Sequence, residues 1–334
     1  LAKGITTPIL VLAPVYSIDR FHPVYRGLSS GMVYLTVHSR EHVEALAMCA
    51  NRFGFNISVH LKIDTGLHRG GCELMNASSI LKEIHSHTKL ELKGVMTHFA
   101  SAVHDECKTK QQHELFNSVI EANKKYLPAQ CMVHEANTAA MVNWTATHMN
   151  MVRVGLAWTG TVPYGVGLLK GFKPVVHWRS SLAHVRTVKK GEGVGYSGRW
   201  IAKRDSLIGI VPVGYAAGYP MGVGQEGESD CAYVKILKQQ GGDGQQGGDA
   251  KVIGAICMDQ IAIDVTEFPF ARVGTTIELI SSDVSSRASL SSLAKIADVV
   301  PHAIISRISP KVKRVYKQSL LVETPQYQQQ SSII

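Results

Sequence analysis

HLKIDTGLHRGG, residues 60–71, begins as an apolar strand and ends by setting Lys62, Asp64, His68 and Arg69 close together in the chain. Buried strands avoid charge, so this cluster marks where the strand leaves the core. The arrangement recurs through the first half of the sequence. The apolar runs ILVLA (9–13), MVYLTV (32–37), SVHLKI (58–63), KGVMTH (93–98), CMVHE (131–135) and MVRV (151–154) alternate with helical patterns. Val43, Leu46, Ala47 and Ala50 share one helix face, and Leu115, Phe116, Val119 and Ile120 another. Strands alternating with helices imply a parallel sheet with covered strands. Thr36, His38, Asp64, His98, Asn137 and Arg153 gather at the strand ends or within the last run. An open doubly wound sheet uses such ends at one switch point, whereas a (β/α) barrel uses them all round its C-terminal rim. Polar ends on successive strands favour the barrel, although only six strands are visible where about eight are needed.

After about residue 172 the pattern changes. VVHWRSSLAHVRTV, SLIGIVPVGY, CAYVKILK, AKVIGAICMDQIAIDVTEF and TIELI read as strands joined by Gly-rich or charged turns, and helix returns near SLSSLAKIADVV. The expected organisation is a partial (β/α) barrel over 1–172, a mostly β domain over 173–320 and a disordered tail over 321–334. QQGGDGQQGGD (239–249) reads as a mobile hairpin insertion.

Composition narrows the function. The chain has 334 residues and a formal net charge of +9, but its Lys and Arg are dispersed and no basic run is interleaved with aromatics. That argues against nucleic acid and for an enzyme holding an anionic small molecule. The six cysteines are far apart with no C-x-x-C pair, which suits the reducing cytoplasm. No apolar run reaches the ~18 residues of a membrane span.

Several familiar sites fail on inspection. GVGYSG (193–198) fits G-x-G-x-x-G, but follows charged residues and opens no helix, so it is not a dinucleotide loop. HEANTAA (134–140) has Thr138 where a zinc helix needs a second histidine, and no serine lies in a G-x-S-x-G elbow. No metal site is expected. HEANTAA instead sets Asn137 and Thr138 at a helix start, which suits a phosphate and equally a plain helix cap. Gly155 in RVGLA lets backbone approach a ligand closely.

Taken together these stretches resemble the alanine racemase family, pyridoxal-phosphate enzymes of fold type III. LKIDTGLHRGG is similar to that family's L-D-T-G-M-x-R-L-G, GVMTHFASA to T-H-F-A-x-A, HEANTAA to H-x-A-N-S-A and MVRVGLAWTG to M-V-R-P-G-I-x-x-Y-G. GEGVGYSGRW, VPVGYAAGYP, GAICMDQIAIDVT and KVKRVY follow in family order, across roughly residues 4 to 316. The resemblance implies a (β/α)8 TIM-type barrel, its first two βα units absent from this chain, followed by a mostly β C-terminal domain. It implies interconversion of L- and D-alanine on pyridoxal 5'-phosphate by a two-base lysine and tyrosine mechanism, in a homodimer with shared active sites. It assigns Tyr196 as the tyrosine base with His98 beside it. Arg153 then faces the pyridine nitrogen, while Asn137, Thr138, Gly155, Leu156 and His302 surround the phosphate and ring. Arg69 and Met258 meet the substrate carboxylate, Tyr215 lines a narrow entry, and Lys62 supports Arg69.

The match has gaps. The family's cofactor lysine lies in K-A-N-A-Y-G-H-G, and that stretch does not occur in this sequence. The expectation is that it lies upstream of Leu1, and that the chain is a fragment inactive by itself. His302 stands where the family usually has tyrosine, and Ala217 where it usually has aspartate. A broader amino-acid racemase of the same fold and a non-catalytic binding barrel are the competing readings.

Overall fold

The computed structural model describes residues 4–161, 172–226, 230–237 and 247–317. Most of the Gly/Gln stretch and the whole 321–334 tail lie outside the described residues. Two compact units are present, Leu1–Arg179 with Glu278–His302, and Ser180–Ile277 with Ala303–Ile334.

The first unit is built on β1 (Ile9–Val11), β2 (Val33–Val37), β3 (Ile57–Lys62), β4 (Leu90–Met96) and β5 (Met132–His134), hydrogen-bonded in that order. All neighbours pair in parallel. Every residue of the central β3 is buried, as a strand covered on both faces requires, which is why its sequence reads as a continuous run. Helices α1 (Val24–Ser29), α2 (Arg40–Phe53), α3 (Leu74–Ser86), α4 (Glu106–Ala122) and α5 (Thr138–Asn143) connect or follow the strands. Helix α2 begins where Ser39 accepts the His42 N–H and ends at Gly54 in the left-handed region, and it buries the expected Val43, Leu46, Ala47 and Ala50. Helix α4 buries Phe116 and Ile120, but also Thr109 and Gln112. Gln112 is satisfied there, accepting from the Ala100 N–H and donating to Thr65 Oγ1 at 3.1 Å.

One expected strand is not formed. MVRV (151–154) runs beside β5 without pairing as a strand, because the side chain of Asn150 occupies the edge that it would use. Asn150 Oδ1 accepts the Val133 N–H at 2.7 Å, and its Nδ2 donates to the Cys131 carbonyl at 3.0 Å. A single backbone bond, Arg153 N–H to the Ala136 carbonyl, ties the segment to the strand end.

Gly94 in β4 is needed for the inward packing of His60. A β-carbon there would overlap the His60 ring and lie 2.6 Å from the Met132 carbonyl oxygen. Gly94→Ala is therefore expected to cost about 1–3 kcal/mol of stability in urea unfolding. A loss below about 0.5 kcal/mol, the usual size for an unremarkable surface change, would show that His60 is free to move aside.

A seven-stranded sheet joins β6 (Trp178–Ser181), β7 (His184–Val188), β10 (Ser206–Val211), β11 (Tyr233–Ile236), β12 (Gly248–Ile253), β13 (Ile261–Asp264) and β14 (Thr276–Ile280) in the order β6-β14-β11-β12-β13-β10-β7. The pairs β11–β12, β12–β13, β13–β10 and β10–β7 are antiparallel and lie in the second unit, while β6 and β14 are each divided between the units. A separate hairpin pairs β8 (Gly193–Val194) with β9 (Trp200–Ile201), so GVGYSG is a hairpin arm and tip. Helices α6 (Leu290–Ile296) and α7 (Pro301–Arg307) follow β14, and α6 belongs to the first unit. Among the described residues no helix is long and apolar enough to cross a membrane.

Candidate active site

Arg153 is the hub of the first unit's polar interior. Its Nη1 lies 2.8 Å from His134 Nδ1, and its Nη2 donates to the carbonyls of Thr97 at 2.8 Å and Glu135 at 3.0 Å. The same Nη2 lies 3.0 Å from His98 Nδ1. A guanidinium only donates, so both imidazoles accept through Nδ1 and carry their proton on Nε2. His134 Nε2 is 2.9 Å from His60 Nδ1, so the pattern passes on: His134 donates, and His60 also holds its proton on Nε2. His98 therefore offers an Nε2–H as a neutral donor.

Burial and the nearby guanidinium keep these rings uncharged. Desolvation first, then the charge of Arg153, pushes His98 and His60 down to about 4 and His134 to about 2. Arg153 is itself lowered by burial to about 10, which still leaves it protonated at neutral pH. Glu135, fully buried, is raised by desolvation to about 8.

These shifts act on stability in opposite directions. The depressed histidines stabilise the fold above the unfolded value of 6.5, and that contribution is lost as pH falls from 6.5 toward 4. The raised Glu135 contributes below its unfolded value of 4.5, and that is lost as pH rises toward 8. Three imidazoles outweigh one carboxyl below 6.5, and Glu135 acts without them above it. Thermal melting is expected to peak between about pH 6 and 7, with the alkaline decline flattened in Glu135→Gln. A melting temperature that climbs steadily through pH 8 would contradict these protonation states.

The first unit also holds a cavity of about 770 Å³. His98, Asn137, Thr138, Arg153, Gly155, Leu156 and His302 line it together, so these sequence-predicted residues share one pocket. Leu10, Leu12, His104 and Lys295 line it as well. Asn137 caps α5, its Oδ1 accepting the Ala140 N–H at 3.0 Å. Thr138 Oγ1 accepts the N–H groups of Gly155 and Leu156, each at 3.2 Å, and so fixes the pocket's backbone wall. A β-carbon at Gly155 would meet nothing within 4 Å, which leaves that backbone bare.

Arg69 is exposed on a loop that β3 launches and Asp64 shapes. Asp64 Oδ1 accepts the N–H groups of Gly66, Leu67 and His68, and the loop is closed at its neck by Asp64 N to Cys72 O and Cys72 N to Lys62 O, both 2.9 Å. Only glycine fits at 71, where φ is +118° and a β-carbon would lie 2.9 Å from the Asp64 nitrogen. Lys62 is buried at the strand end, and desolvation followed by repulsion from Arg69 lowers its pKa.

Tyr196, Tyr215 and Met258 belong to the second unit, where all three are exposed. Their loops adjoin: Tyr215 N–H donates to the Cys257 carbonyl at 3.1 Å, Ala216 N–H to that of Met258 at 3.0 Å, and a β-carbon at Gly254 would lie 2.9 Å from the Val194 carbonyl. The site residues thus fall into two sets, one in each unit. Sequence reasoning missed His60, His134, Glu135 and His113. The polar residues alternating inside SVHLKI, His60 and Lys62, were the available signal, because that parity marks one face of the strand.

A parallel βα sheet with a polar rim and pocket, joined to an antiparallel β unit with exposed tyrosines on neighbouring loops, defines a two-domain enzyme of the barrel-plus-β class. The alanine racemase N-terminal domain matches residues 1–163 and the alanine racemase C-terminal domain residues 175–316, and the chain belongs to the alanine racemase family. It is 32% identical to the alanine racemase of Halothermothrix orenii over 320 residues, 95% of this chain and 79% of that protein. The crystal structure of alanine racemase from Streptomyces lavendulae superposes with a TM-score of 0.81 at 25% identity, covering 96% of this chain and 80% of that one. At 21% identity and a TM-score of 0.74, the alanine racemase of Bartonella henselae, solved with covalently bound pyridoxal phosphate, covers 93% of this chain and 79% of its own and shares the fold. Members are isomerases that depend on pyridoxal phosphate. The first unit's pocket suits that group. It has the volume of a cofactor site, a bare backbone wall at Gly155, a fixed guanidinium and a neutral N–H donor.

Proposed function

We propose that this protein interconverts L- and D-alanine with pyridoxal phosphate held in the first unit's pocket, as a cytoplasmic homodimer. The observation that carries the reading is Arg153, a guanidinium fixed by four acceptors at the pocket wall. Bound pyridoxal phosphate withdraws electrons from the substrate Cα and so makes its proton labile. Arg153 would face the ring nitrogen. A group that keeps its proton hydrogen-bonds that nitrogen without protonating it, which limits electron withdrawal and favours return of the proton over side reactions.

Asn137, Thr138, Gly155, Leu156 and His302 would hold the phosphate and ring. Arg69 and the Met258 backbone would orient the substrate carboxylate, and Tyr215 would narrow the entry. Lys62, buried behind the Arg69 loop, would hold that loop in place. Tyr196 would serve one face of Cα at its phenol oxygen, taking the α-proton from one enantiomer and giving a proton when that enantiomer is formed, supported by the Nε2–H of His98. The other base is the family lysine, whose motif this sequence lacks. None of the six cysteines is in a disulfide, in keeping with a reducing cytoplasm.

The sharing of sites has a direct test. If one subunit supplies Arg69 and the other Tyr196, then Arg69→Ala and Tyr196→Phe, each inactive alone, complement when mixed. Half of randomly reassorted dimers are hybrids with one intact site of two, so about a quarter of wild-type activity is expected. A mixture as inactive as its components would place both residues in one subunit's site.

A further inference from the structure

Next to Arg153 lies a second group of titratable side chains, none of which lines the pocket or enters the proposed reaction. Glu135 at the end of β5 is fully buried. His113 reaches it from α4, with Nδ1 2.6 Å from Glu135 Oε1, and Asn117 Nδ2 lies 2.9 Å from the other ring nitrogen. An amide nitrogen only donates, so His113 accepts at Nε2 and gives its Nδ1–H to Glu135. Glu135 Oε2 then has no hydrogen-bond partner. A bare carboxylate oxygen in the interior is costly, so the carboxyl keeps its proton there. With the Asn117 amide turned over, the proton would sit on Oε1 instead; in both arrangements a neutral imidazole meets a protonated carboxyl.

This carboxyl acts on Arg153. The guanidinium donates through Nη2 to the backbone carbonyl oxygen of Glu135, at 3.0 Å, which anchors it at the residue that bears the carboxyl. Each residue is the charge that bears on the other, and burial holds Glu135 at about 8 against the pull of Arg153. The remaining groups around the pair are Glu114 on α4, which acts on His113, the neutral His134 beside Glu135 on β5, and the neutral His98 on the far side of the guanidinium.

We propose that the buried Glu135 and the partly exposed His113 form a proton-holding pair that sets the charge beside Arg153, Glu135 being a positioning residue for the racemisation proposed above. While the proton is held, the charge of Arg153 is directed undiminished toward His98, His134 and the pocket. When the proton leaves to water, a carboxylate draws on that charge and the donation to His98 weakens.

Side-chain nitrogen NMR of Arg153 and the histidines, recorded between about pH 6 and 10, tests this without substrate or cofactor. In the wild type, the Arg153 and His98 signals are expected to move together in one step near pH 8. The step should vanish in Glu135→Gln and return in Glu135→Asp. His113→Asn, which keeps the carboxyl but removes its ring partner, should displace the step in pH, and this variant stands in if Glu135→Gln does not fold. A step that survives in Glu135→Gln, one unmoved in His113→Asn, or wild-type signals that stay still would each overturn the proposal. In the enzyme assay, the alkaline limb of kcat/KM should disappear in Glu135→Gln. No D-alanine formation with the NMR step intact would reject the racemase reading and leave the pair standing.

Discussion

Arg153→Leu is expected to destabilise the first unit by about 3–5 kcal/mol and to abolish pyridoxal phosphate binding. Leucine fills much of the space but donates nothing. Two ring nitrogens and two carbonyl oxygens, those of His134, His98, Thr97 and Glu135, would lose their donor at once. A buried acceptor stripped of its partner costs about 1–3 kcal/mol, and partial relaxation keeps the sum below four such losses. Without the guanidinium, His134 and His98 are also free to move their proton to Nδ1, which withdraws the Nε2–H that His98 offers. Arg153→Lys should recover less than half of the stability, because one ammonium cannot span acceptors on separate strand ends. Urea unfolding and spectrophotometric cofactor titration measure both effects. A Lys variant equal to wild type in both would reduce Arg153 to a simple positive charge.

Tyr196→Phe is expected to lower kcat for racemisation of L-alanine by about 10²–10⁴ while leaving cofactor affinity nearly unchanged. The phenol oxygen is the only atom removed, and its residue lies on an exposed hairpin tip, so the fold should not suffer. Loss of a base on one face should weigh most on proton removal from one enantiomer, so exchange at Cα of L-alanine should fall further than that of D-alanine. Equal losses in activity and in cofactor binding would contradict the role given to Tyr196.

Much of this architecture was legible because it rests on local pattern. The apolar runs at β1 to β5 and the apolar face of α2 follow from periodicity alone. His98 was marked as a site candidate by lying at a strand end, Arg153 by lying within the last apolar run, and Thr138 by lying at a helix start. The failure at MVRV has a local cause that periodicity does not register, since the Asn150 side chain takes the backbone bonds of a strand edge. Contacts between residues distant in sequence were out of reach. His60 meets His134 across 74 positions, and Glu135 meets His113 across 22. Neither pair has a spacing that a pattern could mark. Nothing in the local sequence explains Gly94, and only the His60 ring lying over it gives the reason.

The central claim is that the pocket around Arg153 serves alanine racemisation. The direct measurement is proton NMR of L-alanine in D₂O with pyridoxal phosphate and the protein expressed from its complete reading frame, followed by chiral analysis of the product. The account predicts loss of the Cα–H signal and accumulation of deuterated D-alanine toward an equal mixture, abolished by Tyr196→Phe. Cofactor bound in the pocket with L-alanine unexchanged and no D-alanine formed would contradict it.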